Sequence, residues 1–209
     1  MALTSTSRAE GQHSRTLGSR VLRGVVNALA SIGITVHPFF VVREGGDGAT
    51  IASDPRLTCG FIGIDDIPEL VRIGPSVDAA KYAERLRRGL LCYAVKDGNR
   101  IVATMWCDLE EFNFQPNYRP LERHEAYLFG AYTDPNYRGQ NLAPLMRLNC
   151  YVALRAIGRD TFFSYTDYSN TSARRFKKKL GAVDESLRVH VQAFNRFSRT
   201  LTLRKYTHR

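Results

Sequence analysis

The sequence predicts one α+β domain, and three of its features carry that prediction. Two β-rich runs, residues 91–95 and 100–109, flank an Asp-Gly turn, which is a strong signal for a hairpin. A third β-rich run, residues 126–133, leads through a loop into a segment whose apolar residues recur at helical spacing as far as Ile157. A further strand and a further helix are predicted at 161–166 and 171–180. Strands and helices therefore alternate within one predicted core.

Weaker patterns fill the rest of the chain. Apolar residues from Leu17 to Ile32 recur at helical spacing and predict a helix that stops at Gly33. The other predicted elements are a strand at 36–43, two short helices at 65–73 and 77–90, and two β-rich runs at 186–194 and 201–206.

Length and composition limit the class of protein. A chain of 209 residues fits one domain of ordinary size, predicted at 16–209, and its first 15 residues are polar enough to predict a flexible tail. No run approaches the roughly 18 apolar residues that a spanning helix needs, so no membrane span is predicted. The four cysteines lie far apart, which predicts free thiols in a reducing cytoplasm and no metal site.

The net charge of +10 suggests a polyanionic partner. Nucleic acid, an anionic membrane surface and a phosphorylated small molecule would all fit, and a solvated basic surface would account for the same charge. No nucleic-acid-binding motif accompanies the charge, so no nucleic-acid partner is predicted.

The most informative stretch is residues 127–146, YLFGAYTDPNYRGQNLAPLM, in which a strand enters a loop with Arg138-Gly139 and then a helix. The free backbone N–H groups of a helix's first turn attract anions, and glycine lets the backbone approach a phosphate closely. This pattern predicts a pyrophosphate site, although an ordinary turn before a helix would look similar.

Residues 134–143 resemble the acyl-CoA loop of the GNAT (Gcn5-related) acetyltransferases, whose pattern is Arg/Gln-x-x-Gly-x-Gly/Ala. Arg138 opens the motif, Ala143 fills its last small position, and Asn141 stands where the family usually has its central Gly. Asn tolerates a left-handed backbone better than most residues do, so we expect the loop to form.

A second segment, Asn170-Thr171-Ser172-Ala173 followed by 176–182, is similar to the family's Asn-x-x-Ala…Tyr-x-x-x-Gly-Phe run. Together the two motifs imply the GNAT fold, a mixed, mostly antiparallel, twisted sheet flanked by helices with a V-shaped splay at its central parallel strands. They also imply acetyl-CoA or another acyl-CoA as cosubstrate. The implied cofactor-binding residues are Tyr132, Thr133, Arg138, Gly139, Gln140, Asn141, Leu142, Ala143 and Asn170.

The resemblance also suggests how the chemistry is divided. Glu125 has the spacing of the glutamate that Gcn5-like members use as general base, although an exposed Glu at a strand start is an alternative. The family often takes its general acid from a Tyr on the last motif's helix, but Lys177 occupies that register here. Tyr165 or Tyr168 could substitute for it.

The resemblance therefore implies an N-acyltransferase that moves an acyl group to a primary amine, most simply of a small molecule, by direct attack in a ternary complex. A protein N-acetyltransferase and a non-catalytic acyl-CoA-binding module are the alternatives. The insertion at 110–123 is expected to face the acceptor, and homodimers are common in the family. Six aromatic residues could line the acceptor pocket: Tyr82, Trp106, Phe112, Phe114, Tyr118 and Tyr127.

Overall fold

The computed structural model describes residues 31–45, 51–52, 54–74, 78–114, 117–194 and 196–207. The predicted tail and nearly all of the helix predicted at 17–32 lie outside these residues. Ten strands are described: β1 Ile34–Glu44, β2 Leu57–Ile62, β3 Leu91–Asp97, β4 Arg100–Asp108, β5 Glu111–Phe114, β6 Asn117–Pro120, β7 Glu125–Thr133, β8 Thr161–Asp167, β9 Val183–Ala193 and β10 Phe197–Lys205. The helices are α1 Ile67–Ile73, α2 Ala79–Arg87, α3 Leu142–Ala156 and α4 Thr171–Lys179.

Eight strands form one twisted sheet in the order β10-β9-β1-β8-β7-β4-β3-β2. The neighbours β7 and β8 run parallel, whereas the other paired neighbours are antiparallel. The predicted α+β class and mixed, mostly antiparallel sheet are thus confirmed. Two elements escaped prediction: strand β2, and the hairpin β5–β6 inside the insertion at 110–123.

The parallel pair explains where a cleft can open. Strands β7 and β8 are paired only from Glu125 to Tyr127 and from Thr161 to Phe163, after which each strand continues without the other. Their carboxyl-terminal halves therefore separate in a V, as the resemblance implied.

A bulge distorts β7 beside this opening. The register of β7 against β4 slips between Thr104 and Trp106, so that two residues of β7, Gly130 and Ala131, oppose a single residue of β4. Gly130 has a φ of 61°, a left-handed conformation that side chains disfavour. The bulge thus interrupts the regular pairing of β7 with β4 just before the last residues of β7.

Helices cover both faces of the sheet. On one face, α3 packs Leu145, Met146 and Cys150 into the largest core cluster, against Ala126 and Leu128 of β7. On the other face, α1 and α2 contribute Leu70, Ile73 and Tyr82 to a second cluster with Trp106.

None of the described helices is long and apolar enough to cross a membrane.

Candidate active site

A cleft of about 660 Å³ lies between the end of β7, the start of α3 and the first turns of α4. It brings together eight of the nine predicted cofactor-binding residues: Tyr132, Thr133, Arg138, Gly139, Asn141, Leu142, Ala143 and Asn170. Gln140 is exposed in the same loop and does not line the cleft. Six further lining residues were not predicted as ligands: Ala131, Tyr137, Pro144, Ser172, Ala173 and Phe176.

Asn141 makes the turn from the loop into α3. Its φ of 57° and ψ of 24° place it in the left-handed region, and its carbonyl oxygen accepts the Leu145 N–H at 3.1 Å. This is the backbone conformation that glycine adopts most easily, so Asn141 performs the conformational role of the family's central Gly. The next two N–H groups, those of Leu142 and Ala143, belong to a helix's first turn and have no partner within the helix.

The loop before Asn141 is anchored by a buried carboxylate. Asp134 Oδ1 accepts the Asn136 N–H at 2.9 Å, while Oδ2 lies 3.2 Å from Arg100 Nη2 and 3.7 Å from Arg72 Nη1. Arg138 itself is exposed, and its guanidinium lies 5.8 Å from the centroid of the Tyr132 ring. A positive charge is thus held at the mouth of the cleft, where an anion would meet the first turn of α3.

The second motif completes the opposite wall. The side-chain oxygen of Asn170 caps α4 by accepting the Ala173 N–H at 3.0 Å. Ser172, Ala173 and Phe176 then face the cleft from α4. The Asn-x-x-Ala spacing has a local cause here, because an N-cap bonds the N–H group three residues later.

Glu125 is not brought to this cleft. It lies at the other end of β7, six residues and roughly 20 Å along the strand from Ala131. Its carboxylate is paired with Arg119 at 2.6 and 3.1 Å and accepts the Glu122 N–H at 3.0 Å. Burial raises the pKa of Glu125, but these donors outweigh burial and hold the pKa below its usual value.

The two candidate tyrosines lie in different environments. Tyr165 is half-buried beside Phe39, on the face of the sheet that carries α1 and α2, and burial raises its pKa. Tyr168 follows the end of β8 and stacks on Phe40 with the ring centroids 5.6 Å apart. Neither residue lines the cleft.

Lys177 points into the core instead of the cleft. Its Nζ donates to Ser164 Oγ at 2.7 Å, to Thr166 Oγ1 at 2.6 Å and to the Tyr165 carbonyl at 3.0 Å. Burial lowers the pKa of Lys177 to about 8. The family often has a Tyr at this position that acts as general acid. Lys177, which replaces it here, supplies no proton donor to the cleft.

A buried carboxylate explains why an ammonium can occupy that register. Glu44 Oε1 lies 3.4 Å from Lys177 Nζ, and Glu44 Oε2 lies 3.3 Å from Arg147 Nε. Burial raises the pKa of Glu44, but the charges of Arg147 and Lys177, with hydrogen bonds from Ser164 and Tyr151, outweigh burial and hold the pKa at about 2. Sequence patterns gave no sign of this cluster, because its members come from four separate elements, β1, α3, β8 and α4.

The aromatic residues expected near the acceptor are mostly buried on the α1–α2 face. Tyr82, Trp106, Phe112 and Tyr127 are buried, Tyr118 is exposed, and the side chain of Phe114 lies outside the described residues. Within the described part of the chain, no group of three or more His, Cys, Asp or Glu residues could hold a metal ion.

The V-shaped opening and the cleft at the start of α3 are the features expected of the acyltransferase class that the two motifs resemble. A family model described as the acetyltransferase (GNAT) family matches residues 63–182, more than half of the chain. The chain therefore belongs to the GNAT acetyltransferase family. The matched segment runs from just before α1 to just after α4 and contains the whole cleft.

Solved structures support the fold. One is described as an acetyltransferase of the GNAT family from Novosphingobium aromaticivorans, with 22% identity, a TM-score of 0.54, and coverage of 76% of this chain and 66% of that one. Another is a GNAT-family acetyltransferase from Colwellia psychrerythraea, with 15% identity, a TM-score of 0.56, and coverage of 78% and 58%. The chain thus spans less than two thirds of each of these proteins. No curated protein matches the sequence significantly.

Proposed function

We propose that this protein is an N-acyltransferase that moves an acetyl or other acyl group from acyl-CoA to a primary amine of a small molecule. The observation that carries the proposal is that one cleft is lined both by the first turn of α3 and by the end of β7, beyond the point where β8 stops pairing with β7. A helix N-terminus that suits a phosphate and a strand end that β8 leaves unpaired are thereby joined in one cleft.

The residues present suit a CoA ester. The N–H groups of Leu142 and Ala143, with Arg138 at the mouth, would hold the pyrophosphate. Asn170 and the α4 residues of the opposite wall would contact the pantetheine arm. When bound there, the cosubstrate supplies an activated thioester.

The end of β7 suits the thioester carbonyl. Successive N–H groups of a strand point alternately to its two neighbours, so one of the amides of Tyr132 and Thr133 faces the side that β8 has left. That N–H would stabilise the negative charge that develops on the carbonyl oxygen. The amine nitrogen forms a bond to the carbonyl carbon, the carbon–sulfur bond breaks, and the thiolate takes a proton.

We propose Tyr165 as the better placed of the two candidate proton donors. It lies on β8, the strand that forms one side of the opening, and its phenol is protonated at neutral pH because the ordinary pKa of a tyrosine is about 10. Tyr168 is stacked on Phe40 beside α4. The ion pair with Arg119 and the distance from the cleft favour a structural role for Glu125 over the general-base role, and the amine would then lose its proton to solvent.

A non-catalytic acyl-CoA-binding module is the second candidate, because Lys177 gives the cleft no hydroxyl at the register that the family often uses. Calorimetry with acetyl-CoA, followed by a thiol-release assay against a panel of amines, separates the two functions. Binding with amine-dependent thiol release supports the transferase, and binding without release for any amine favours the module.

Two sets of variants sharpen this test. Arg138→Ala should weaken acetyl-CoA binding without changing the melting temperature, whereas Arg56→Ala, an exposed control outside the cleft, should change neither. Tyr165→Phe should lower turnover and leave acetyl-CoA affinity intact, and Tyr168→Phe serves as its matched control. Loss of turnover in Tyr168→Phe alone would reverse the assignment.

A further inference from the structure

Arg85 of α2 is held over two aromatic rings on the face of the sheet opposite α3. Its guanidinium carbon lies 5.1 Å from the centroid of the Trp106 ring and 5.8 Å from that of Phe129. The side chain is half-buried. Stacking on rings fixes a guanidinium in position while its N–H groups remain at the edge of the plane, available to a ligand.

These two rings lie next to the bulge of β7. Phe129 pairs with Trp106 across the strands and directly precedes Gly130. A Cβ atom added at Gly130 would lie only 3.3 Å from Trp106 Cδ1. Arg85 therefore stacks on rings that border the bulge of β7. On the proposed function, the residues that follow this bulge hold the thioester carbonyl.

The cavity beside Arg85 has a volume of about 240 Å³ and is also lined by the carboxylates of Glu84 and Asp108, which have other partners. Glu84 is paired with Arg87 at 2.6 Å, and Asp108 accepts the N–H groups of Glu110 and Glu111 at 2.9 Å. Among the residues that the structure describes, no carboxylate lies within ion-pair distance of Arg85. Arg85 thus presents guanidinium N–H groups to the cavity that no carboxylate of the described residues occupies.

We propose that Arg85 binds an oxyanion, a carboxylate or a phosphate, on the amine acceptor, so that this enzyme acylates anionic amines in preference to neutral ones. The inference rests on the proposed function and adds the class of acceptor. Arg88, which lines the same cavity, adds long-range attraction for an anion, and the planar fork of Arg85 supplies the directed hydrogen bonds.

The test compares matched acceptors with the wild-type protein and acetyl-CoA. One arm uses the common amino acids with their carboxamides and decarboxylated amines, and the other compares phosphoethanolamine with ethanolamine. The anionic member of at least one pair should have the higher kcat/KM, and the arm in which it does so identifies the oxyanion. Equal or better use of the neutral members in both arms would overturn the inference.

Variants of Arg85 connect the preference to this residue. Arg85→Met retains an apolar stem over the rings and should lower kcat/KM roughly 10- to 100-fold for the anionic member only, because a hydrogen-bonded charge is lost. Arg85→Lys should recover part of that loss. Lys81→Gln removes a charge from the exposed side of the same helix and should change nothing. An equal loss for both members in Arg85→Met would refute the role.

A binding readout keeps the inference separate from the proposed function. If no amine is acylated, the transferase proposal fails. Calorimetry of the same amines with the CoA-loaded protein still tests whether Arg85 binds an oxyanion. Anionic members that bind the wild type and not Arg85→Met would support the site. Absence of binding by every anionic member would overturn it.

Discussion

Lys177 Nζ lies 3.4 Å from Glu44 Oε1, and both side chains are buried. Glu44 ends strand β1, which lies outside the segment that the GNAT family model matches, whereas Lys177 lies on α4 within that segment. Lys177 occupies the position where the family often has Tyr. Its carboxylate partner, Glu44, comes from β1, which precedes the matched region. The pair ties β1 to the helix that forms one wall of the cleft.

Removing Glu44 should therefore cost far more stability than removing a surface carboxylate. Glu44→Gln leaves Lys177 and Arg147 buried without a neutralising charge, and we expect the free energy of unfolding to fall by about 3–5 kcal/mol. Lys177→Met should cost less, since Glu44 keeps Arg147. In urea unfolding, the double variant should lose clearly less than the two single losses added together. Additive losses would mean that the two charges are not coupled.

The same cluster predicts a pH dependence of stability. The pKa of Glu44 is about 2 in the folded protein and 4.5 ordinarily, so its contribution is complete above pH 4.5 and is lost as the pH falls toward 2. Over this range the unfolded chain binds the proton more readily than the folded one. The difference in unfolding free energy between wild type and Glu44→Gln should shrink as the pH falls through this window. A constant difference would contradict the assignment.

We expect Asn141 to contribute through its left-handed backbone conformation and not through its side chain. Because its φ is 57°, Asn141→Gly should retain both melting temperature and acetyl-CoA affinity, while Asn141→Ala should cost about 1 kcal/mol and the β-branched Asn141→Val more. Differential scanning calorimetry and acetyl-CoA titration measure the two properties. Asn136→Ala, an exposed position in the same loop with no positive φ, is the control. Equal stability of the Ala and Gly variants would argue against the left-handed turn.

Glu125 provides a separate test of mechanism. Since its carboxylate is fixed by Arg119 and its pKa is lowered, we expect Glu125→Gln to reduce stability by about 1–3 kcal/mol and to leave kcat within a few-fold. Arg119→Met should show the same pattern, because it breaks the same pair. The readout is the pH profile of kcat alongside urea unfolding. A loss of 100-fold or more in kcat for Glu125→Gln alone would restore the general-base role.

Local sequence was enough to predict the elements that build the cleft. The Asp-Gly hairpin, the strand before the loop, the first turn of α3 and the N-cap at Asn170 all depend on residues a few positions apart, and turn and capping preferences act over that range. The nine cofactor-binding residues followed from the resemblance of two motifs to the GNAT family, and eight of them line one cleft. Sequence patterns missed β2, whose six residues contain a glycine and carry little strand signal.

The sequence by itself determined the α+β class, the helix N-terminus that suits an anion, and the small or flexible residues that let a phosphate approach it. Only the tertiary structure decided which charges meet. It paired Lys177 with Glu44, 133 positions away, and placed Arg85 over Trp106 beside the bulge. The physical reason is that chain proximity fixes backbone conformation, whereas charge pairing and burial depend on how distant strands and helices are brought together, and no local pattern records that arrangement.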